Sequence, residues 1–346
     1  MIANKIIIDS VYLNSEGGKA ILFQLIDFLK QENLLNKYYF LIDSRISMTK
    51  PFLNLIDFEF IKASEKSRRN FYLKVNDNYK SIICMSNVPP PIKFNKNVFI
   101  YFHNDLLINP LRTNLDIIDR GFNLMKKLYI KFLNNKSYKW IVQTKLMKKN
   151  LSNSFSINPN KIKIFPIFDS NSKYYNQKNK KNKFLYVSNL SKHKNHKRLI
   201  NAFIDVADKS NKLIELHLTI SEYQYKSSIY SKLKYPKNLI IKNHGILNKS
   251  DLNNLYNSSY FLIFPSLNES FGLPLIESIN NNCKVIASDL PYVTEIIEPS
   301  IKFNPESIYS ITQSISAALK EKSLKNSKIL IENKIDTFVE YISHHV

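Results

Sequence analysis

The sequence predicts an α/β protein built from two parallel-sheet domains, and three observations carry the prediction. Short β-rich runs alternate with amphipathic stretches along the chain, the order that gives parallel sheets with crossover helices. Runs such as SIICM (Ser81–Met85) and YFLIF (Tyr260–Phe264) are almost wholly apolar, as strands covered on both faces must be. The pattern halts in a Lys- and Asn-rich stretch, Ser170–Lys183, and then restarts, so that stretch reads as a linker. At 346 residues the chain is long enough for two cores.

In the first half KIIIDSVYL opens the sheet and KAILFQLIDFLKQEN follows as a helix. YYFLI, FEFI, SIICM, VFIYF, KWIVQ and KIKIF supply the further strands. In the second half the strands are KFLYVS, LIELHLTI, LIIKN, YFLIFPS, KVIAS and IKF. Helices are expected from about Lys197, from Ser250 and from Pro274, with a helical tail that could pack back on the first domain. The boundaries are 1–169, a linker 170–183, and 184–346. Both domains read as Rossmann-like and doubly wound. Ligands in such sheets bind beyond the carboxyl ends of the strands, which makes the interdomain cleft the default site.

The formal net charge is +22, and only six of the 50 basic residues are arginine. A coding preference for Lys, Asn and Ile explains part of this; attraction to a membrane or phosphate surface is the functional reading. Scarce arginine argues against base readout, so no nucleic-acid partner is expected. Cys84 and Cys283 sit in apolar strands and read as reduced core residues. MIANKIIIDSVYL has too short an apolar run for a signal peptide, and no run reaches the ~18 residues of a spanning helix. A cytoplasmic location is expected, either free or peripheral on the membrane's cytoplasmic face. Within Arg120–Trp140, Phe122, Met125, Leu128, Tyr129, Phe132 and Leu133 share a helical face, with Lys126, Lys127 and Lys131 off it. Packing of that face on the first sheet is the expected arrangement. An anionic membrane surface is the alternative partner.

The chemistry concentrates in FPSLNESFGLPLIESI, Phe264–Ile279. Glu269 lies just past the carboxyl end of a strand, and Gly272 permits close approach of backbone to ligand. Pro274 suits a first helical turn, which would also hold Glu277. The free N–H groups of that turn suit a diphosphate. Carboxylates cannot hold phosphate but can accept two hydrogen bonds from a sugar diol. A second constellation, FLYVSNLSKHKNHKRLINAF (Phe184–Phe203), carries Lys194 in a strand-to-helix loop. A leaving diphosphate needs such a cation. His103 ends the strand VFIYF, and Gly17 and Gly18 follow the first strand in Asn14–Gly18. That glycine pair fits neither a P-loop nor G-x-G-x-x-G.

The two glutamates eight residues apart around FGLP, continued by NNNCKVIASDLPYVTEII and preceded by NHGILNKSDLNNLYNSSYFLIFPS, resemble the signature of the "glycosyl transferases group 1". These are retaining, nucleotide-sugar-dependent enzymes of the GT-B fold. The resemblance is strong over Phe184–Ile297 and weaker in the first half. It implies a donor-binding second domain and an acceptor-binding first domain. It places Glu277 on the nucleotide ribose and Glu269 on the donor sugar. The backbone of Phe271, Gly272 and Leu273 would face sugar and diphosphate, and Lys194 would hold the diphosphate. Asn189 stands where the family usually has arginine; Lys192, His193 and Arg198 are nearby cations that could compensate. The resemblance further places His103 and the Gly17–Gly18 loop near the donor sugar. No D-x-D occurs in the sequence, and the resemblance implies no metal or other cofactor. The implied partners are a nucleotide diphosphate sugar and a cell-surface glycan or lipid-linked acceptor. Another enzyme on the same fold (an epimerase or phosphorylase) and an inactive basic membrane-associated protein are the alternatives.

Overall fold

The computed structural model describes residues 4–46, 54, 56–75, 79–94, 97–111, 115–170, 180–320 and 323–344. The chain divides into two compact units. Residues 1–112, 117–169 and 332–346 form the first, and 113–116 with 170–331 form the second.

The first unit holds a seven-stranded sheet of β1 (Ile6–Ser10), β2 (Tyr38–Asp43), β3 (Phe58–Ile61), β4 (Ser81–Cys84), β5 (Val98–Tyr101), β6 (Lys139–Val142) and β7 (Ile162–Ile164), in the order β3-β2-β1-β4-β5-β6-β7. Every pairing in it is parallel. The pleat sends alternate residues to opposite faces. Ile6, Ile8, Phe40, Ile42, Ile83 and Phe99 enter one core, with α1 (Glu16–Gln31) packed on it. Ile7, Leu41, Ile82, Val98, Ile100 and Trp140 enter the other. That second face carries Phe71 and Tyr72 of α2 (Glu65–Lys74) and residues of α4 (Lys145–Phe155). Between these lies α3 (Ile117–Leu133).

The expectation for α3 is overturned. Phe122, Met125, Leu128 and Phe132 are exposed, and Ile130 is the helix's buried residue. Tyr129 and Leu133 are half-buried. The sheet face that the apolar arc was expected to cover is filled by α2, α4 and the strands' own aromatics.

The second unit holds a six-stranded parallel sheet of β8 (Lys180–Tyr186), β9 (Ile214–Leu218), β10 (Leu239–Asn243), β11 (Ser259–Phe264), β12 (Lys284–Ser288) and β14 (Ile301–Phe303), in the order β10-β9-β8-β11-β12-β14. A short antiparallel pair, β13 (Ile297–Glu298) and β15 (Lys328–Ile329), stands apart from it. The helices are α5 (His196–Asp208), α6 (Glu222–Ser227), α7 (Lys249–Asn257), α8 (Leu273–Asn280), α9 (Pro291–Thr294) and α10 (Ile308–Lys320). The last helix, α11 (Ile335–His344), belongs to the first unit, where Ile335, Phe338, Val339 and Ile342 join the core of α1.

β8 starts at Lys180, inside the stretch expected to be linker through Lys183. Lys180 pairs with Ser259 and Lys183 with Glu215, and the Lys183 ammonium donates to Ser258 Oγ at 2.6 Å. Ladder pairing therefore overrides the polar composition. Linker positions 171–179 lie outside the described residues.

Candidate active site

In the second sheet, β8 lies between β9 and β11, so the strand order reverses there while every strand stays parallel. Loops leaving the carboxyl ends of β8 and β11 meet at this switch point, where open α/β sheets bind ligands. The first loop carries Lys194 and the second Glu269. The Lys194 ammonium donates to Glu269 Oε1 at 2.5 Å, with the two side chains 16% and 13% exposed. The sequence-predicted cation and acid are thus brought into direct contact.

Several buried groups fix these loops. Leu267 N donates to His193 O at 2.8 Å. Tyr186 Oη donates to Lys194 O at 2.7 Å and lies 3.0 Å from Ser266 Oγ. Asn195, in the left-handed region with φ 63°, donates through Nδ2 to Pro265 O (3.1 Å) and Pro305 O (2.7 Å). Tyr292 Oη and Ser288 Oγ both donate to Ser266 O, at 2.7 and 3.0 Å. None of these anchors was read from the sequence. Their partners are distant in the chain, and the only local signal is Asn195 just before a helix, a residue that tolerates positive φ.

After Glu269 the chain turns through Gly272, φ +89°, into α8. A Cβ at Gly272 would be backbone-strained and 3.0 Å from Leu275 Cδ1, so glycine is required there for the turn itself. Phe271 is buried and Leu273 opens the helix, with Pro274 next. No side chain caps this end, which leaves its positive pole open to an anion. Glu277 is the fifth helical residue, beyond the first turn in which it was expected, because the helix starts at Leu273. Its Oε2 accepts from Tyr256 Oη at 2.9 Å, and Tyr256, on α7, is fully buried. The buried phenol holds the carboxylate in one orientation. On the resemblance's placement of Glu277 at the ribose, Tyr256→Phe should weaken nucleoside diphosphate binding by about tenfold, the worth of one hydrogen bond to a charged group, and raise donor KM with kcat nearly unchanged. Calorimetric titration checks this.

Asn189 is exposed, and its Oδ1 accepts from Ser191 Oγ at 3.1 Å. Of the cations named beside it, Lys192 faces Asp116 at 3.7 Å and Arg198 donates to Asn195 Oδ1 at 3.1 Å. His193 gives its carbonyl to Leu267.

The remaining predicted residues lie in the first unit. Gly17 and Gly18 are in the first turn of α1, where Ser15 Oγ accepts from Gly18 N at 3.2 Å. A Cβ at Gly18 would meet Leu13 Cδ1 at 2.8 Å, whereas one at Gly17 would meet nothing. Packing explains Gly18; Gly17 leaves open space. His103 follows β5 and is half-buried. Its backbone N–H donates to Asn87 Oδ1 at 2.7 Å. Its Nε2 lies 3.0 Å from Met85 O, so Nε2 carries the proton and, in the neutral ring, Nδ1 keeps the lone pair. Burial holds His103 down to about 4.

Burial likewise holds His196, at the start of α5, down to about 3, with Lys194 adding to the effect. The unfolded chain binds a proton near pH 6.5 that the folded imidazole refuses. Stability from these histidines is therefore full above pH 6.5 and is lost as pH falls toward 4. The buried His196 alone should cost about 2 kcal/mol at pH 5. Thermal melts from pH 7 to pH 5 should show a falling midpoint, with a shallower fall in His196→Asn; parallel profiles would contradict the assignment.

The family described as "Glycosyl transferases group 1" matches residues 168–337. The O-antigen chain mannosyltransferase RfbU of Salmonella typhimurium is 26% identical over 191 residues, 53% of each chain. The match thus spans about half the length of that relative. Sucrose-phosphate synthase from Thermosynechococcus elongatus superposes with a TM-score of 0.68 at 13% identity, covering 92% of this chain and 90% of that one. Anabaena HepE in complex with UDP-glucose superposes with a TM-score of 0.62 at 13% identity, covering 98% of each chain. At such identities these structures establish the fold, which is GT-B.

Proposed function

We propose, for a chain that belongs through residues 168–337 to the glycosyl transferases group 1 family, that it moves a hexose-type sugar from a nucleotide diphosphate sugar to a cell-surface glycan or lipid-linked acceptor, with retention of anomeric configuration. One observation carries the reading: the Lys194–Glu269 pair, 2.5 Å apart, beside the uncapped start of α8 and at the sheet's switch point. Lys194 and the helix end supply positive potential for the departing diphosphate. Glu269 accepts hydrogen bonds from the sugar, and Glu277, oriented by Tyr256, accepts those of the ribose diol. The bond from the anomeric carbon to the diphosphate oxygen breaks while the acceptor oxygen bonds on the same face. The acceptor's proton passes to the leaving diphosphate oxygen. The lysine and the helix end take the charge-balancing role, so the reaction needs no metal. The exposed Asn189 belongs to the same proposal, as a group near the diphosphate. The likeness to an O-antigen mannosyltransferase makes mannose the first sugar to test.

The test offers nucleotide sugars, in EDTA, with and without lipid-linked oligosaccharide acceptors. Nucleoside diphosphate release that requires acceptor, with product anomeric coupling matching the donor, is the expected result. Release without acceptor, or with phosphate as acceptor, would favour an epimerase or a phosphorylase.

A further inference from the structure

His196 is a buried imidazole that the transfer chemistry above does not use. It opens α5 and is 2% exposed, with its ring centre 4.9 Å from that of Tyr186. Its Nε2 lies 3.2 Å from Ser188 Oγ, and its Nδ1, also buried, has no hydrogen-bond partner. A neutral imidazole carries one proton, and burial beside Lys194 keeps this one neutral. A proton on Nδ1 would be a buried N–H without an acceptor, at the positive pole of α5. The proton therefore sits on Nε2 and is donated to Ser188 Oγ. Ser188 stands two residues beyond β8, at the start of the loop that carries Lys194. Its N–H donates to Thr219 Oγ1 at 3.2 Å, just past β9. Backbone and side chain are thus held from two sides, while Ser188 itself is only half-buried. Having accepted from His196, the hydroxyl has its own proton to give.

We infer that Ser188 is a diphosphate-binding hydroxyl and that His196 is its positioning residue, filling one lone pair of Oγ and leaving the O–H for a phosphate oxygen. The inference rests on the transferase reading and adds two residues to its donor site. In the resting molecule the Ser188 proton goes to Tyr186, whose own proton goes to Lys194 O. A phosphate oxygen is the stronger acceptor, because it is charged. The role fits the local charge. Asn189, next in the chain, brings no cation to this loop and is bonded to Ser191. Lys192 faces Asp116, and Arg198 donates to Asn195. A neutral donor held in place supplies a hydrogen bond where Asn189 supplies no charge.

Calorimetric titration of the full chain with UDP, GDP, dTDP and ADP, each beside its nucleoside, tests it. The proteins are wild type, Ser188→Ala, His196→Leu, His196→Gln and Ser188→Ala/His196→Leu. Ser188→Ala should bind the wild type's preferred diphosphate about tenfold more weakly, the worth of one hydrogen bond to a charged group, with nucleoside affinity unchanged. His196→Leu should lose about as much. The double variant should lose no more than Ser188→Ala alone, since both changes remove the same bond. His196→Gln keeps a side-chain N–H and should recover most of the loss, which a packing role for the ring would not give. Diphosphate affinity in Ser188→Ala within about twofold of wild type, additive losses in the double variant, or an equal loss toward the nucleoside would overturn the inference and leave the transferase reading standing. A wild type that binds none of the four diphosphates would overturn both.

Discussion

Replacing Lys194 by alanine should lower sugar-transfer turnover by about 10²–10³-fold, the cost of removing one preorganised group aimed at developing negative charge. In the resting structure Lys194 is neutralised by Glu269 at 2.5 Å. Under the proposed reaction, entry of the donor turns the lysine to the diphosphate and frees Glu269 for the sugar, so no charge in the pair stays unpartnered. Lys194→Ala leaves Glu269 without this cation at a site only 13% exposed and leaves the diphosphate with the helix end alone. Lys194→Arg should keep part of the rate, since it keeps the charge but changes its reach. Turnover within about threefold of wild type in Lys194→Ala would remove the lysine from the mechanism.

The largest stability effect is expected in the first unit, at Arg68. Asp9, in β1, and Arg68, on α2, are both fully buried. Arg68 Nη2 and Nε donate to Asp9 Oδ2 at 2.8 and 3.1 Å, and Tyr72 Oη donates to the same oxygen at 2.7 Å. Asp9 Oδ1 accepts from Val11 N at 3.0 Å. Arg68 also reaches Glu65 Oε1 (3.1 Å), Pro89 O (3.3 Å) and Val88 O (3.3 Å). Such a pair adds little over an apolar replacement of both partners, but breaking it strands a buried charge. Arg68→Met should therefore cost about 3–5 kcal/mol in urea unfolding, and Asp9→Asn a similar amount. Asp9→Leu/Arg68→Met should recover much of the loss. A cost under about 1 kcal/mol for Arg68→Met would show that the network yields easily.

The parallel sheets were legible because their signal is local: apolar strand runs, such as Ser81–Cys84, and regular alternation with amphipathic segments. The Glu269–Glu277 segment was legible because strand, glycine turn and proline-started helix lie within one short stretch. What was not legible depends on tertiary partners. Lys180–Lys183 forms a strand because Ser259 and Glu215 pair with it, which polar composition hides. The direction of α3 cannot be read from periodicity, which marks an apolar face without saying what covers it. The Asp9–Arg68 pair spans residues on a strand and a helix with no shared motif. Tyr256 sits in a helix whose spacing says core, and only its 2.9 Å bond to Glu277 gives it a further role.

The most direct measurement is a thermal-shift titration of the wild-type chain and Glu277→Ala with UDP, GDP, dTDP and ADP, in EDTA. A bound ligand raises the melting temperature as its concentration exceeds its dissociation constant. The account predicts that one nucleotide stabilises the wild type and does so clearly less in Glu277→Ala. Equal stabilisation of both proteins, or of neither by any nucleotide, would contradict the placement of the donor site beside α8.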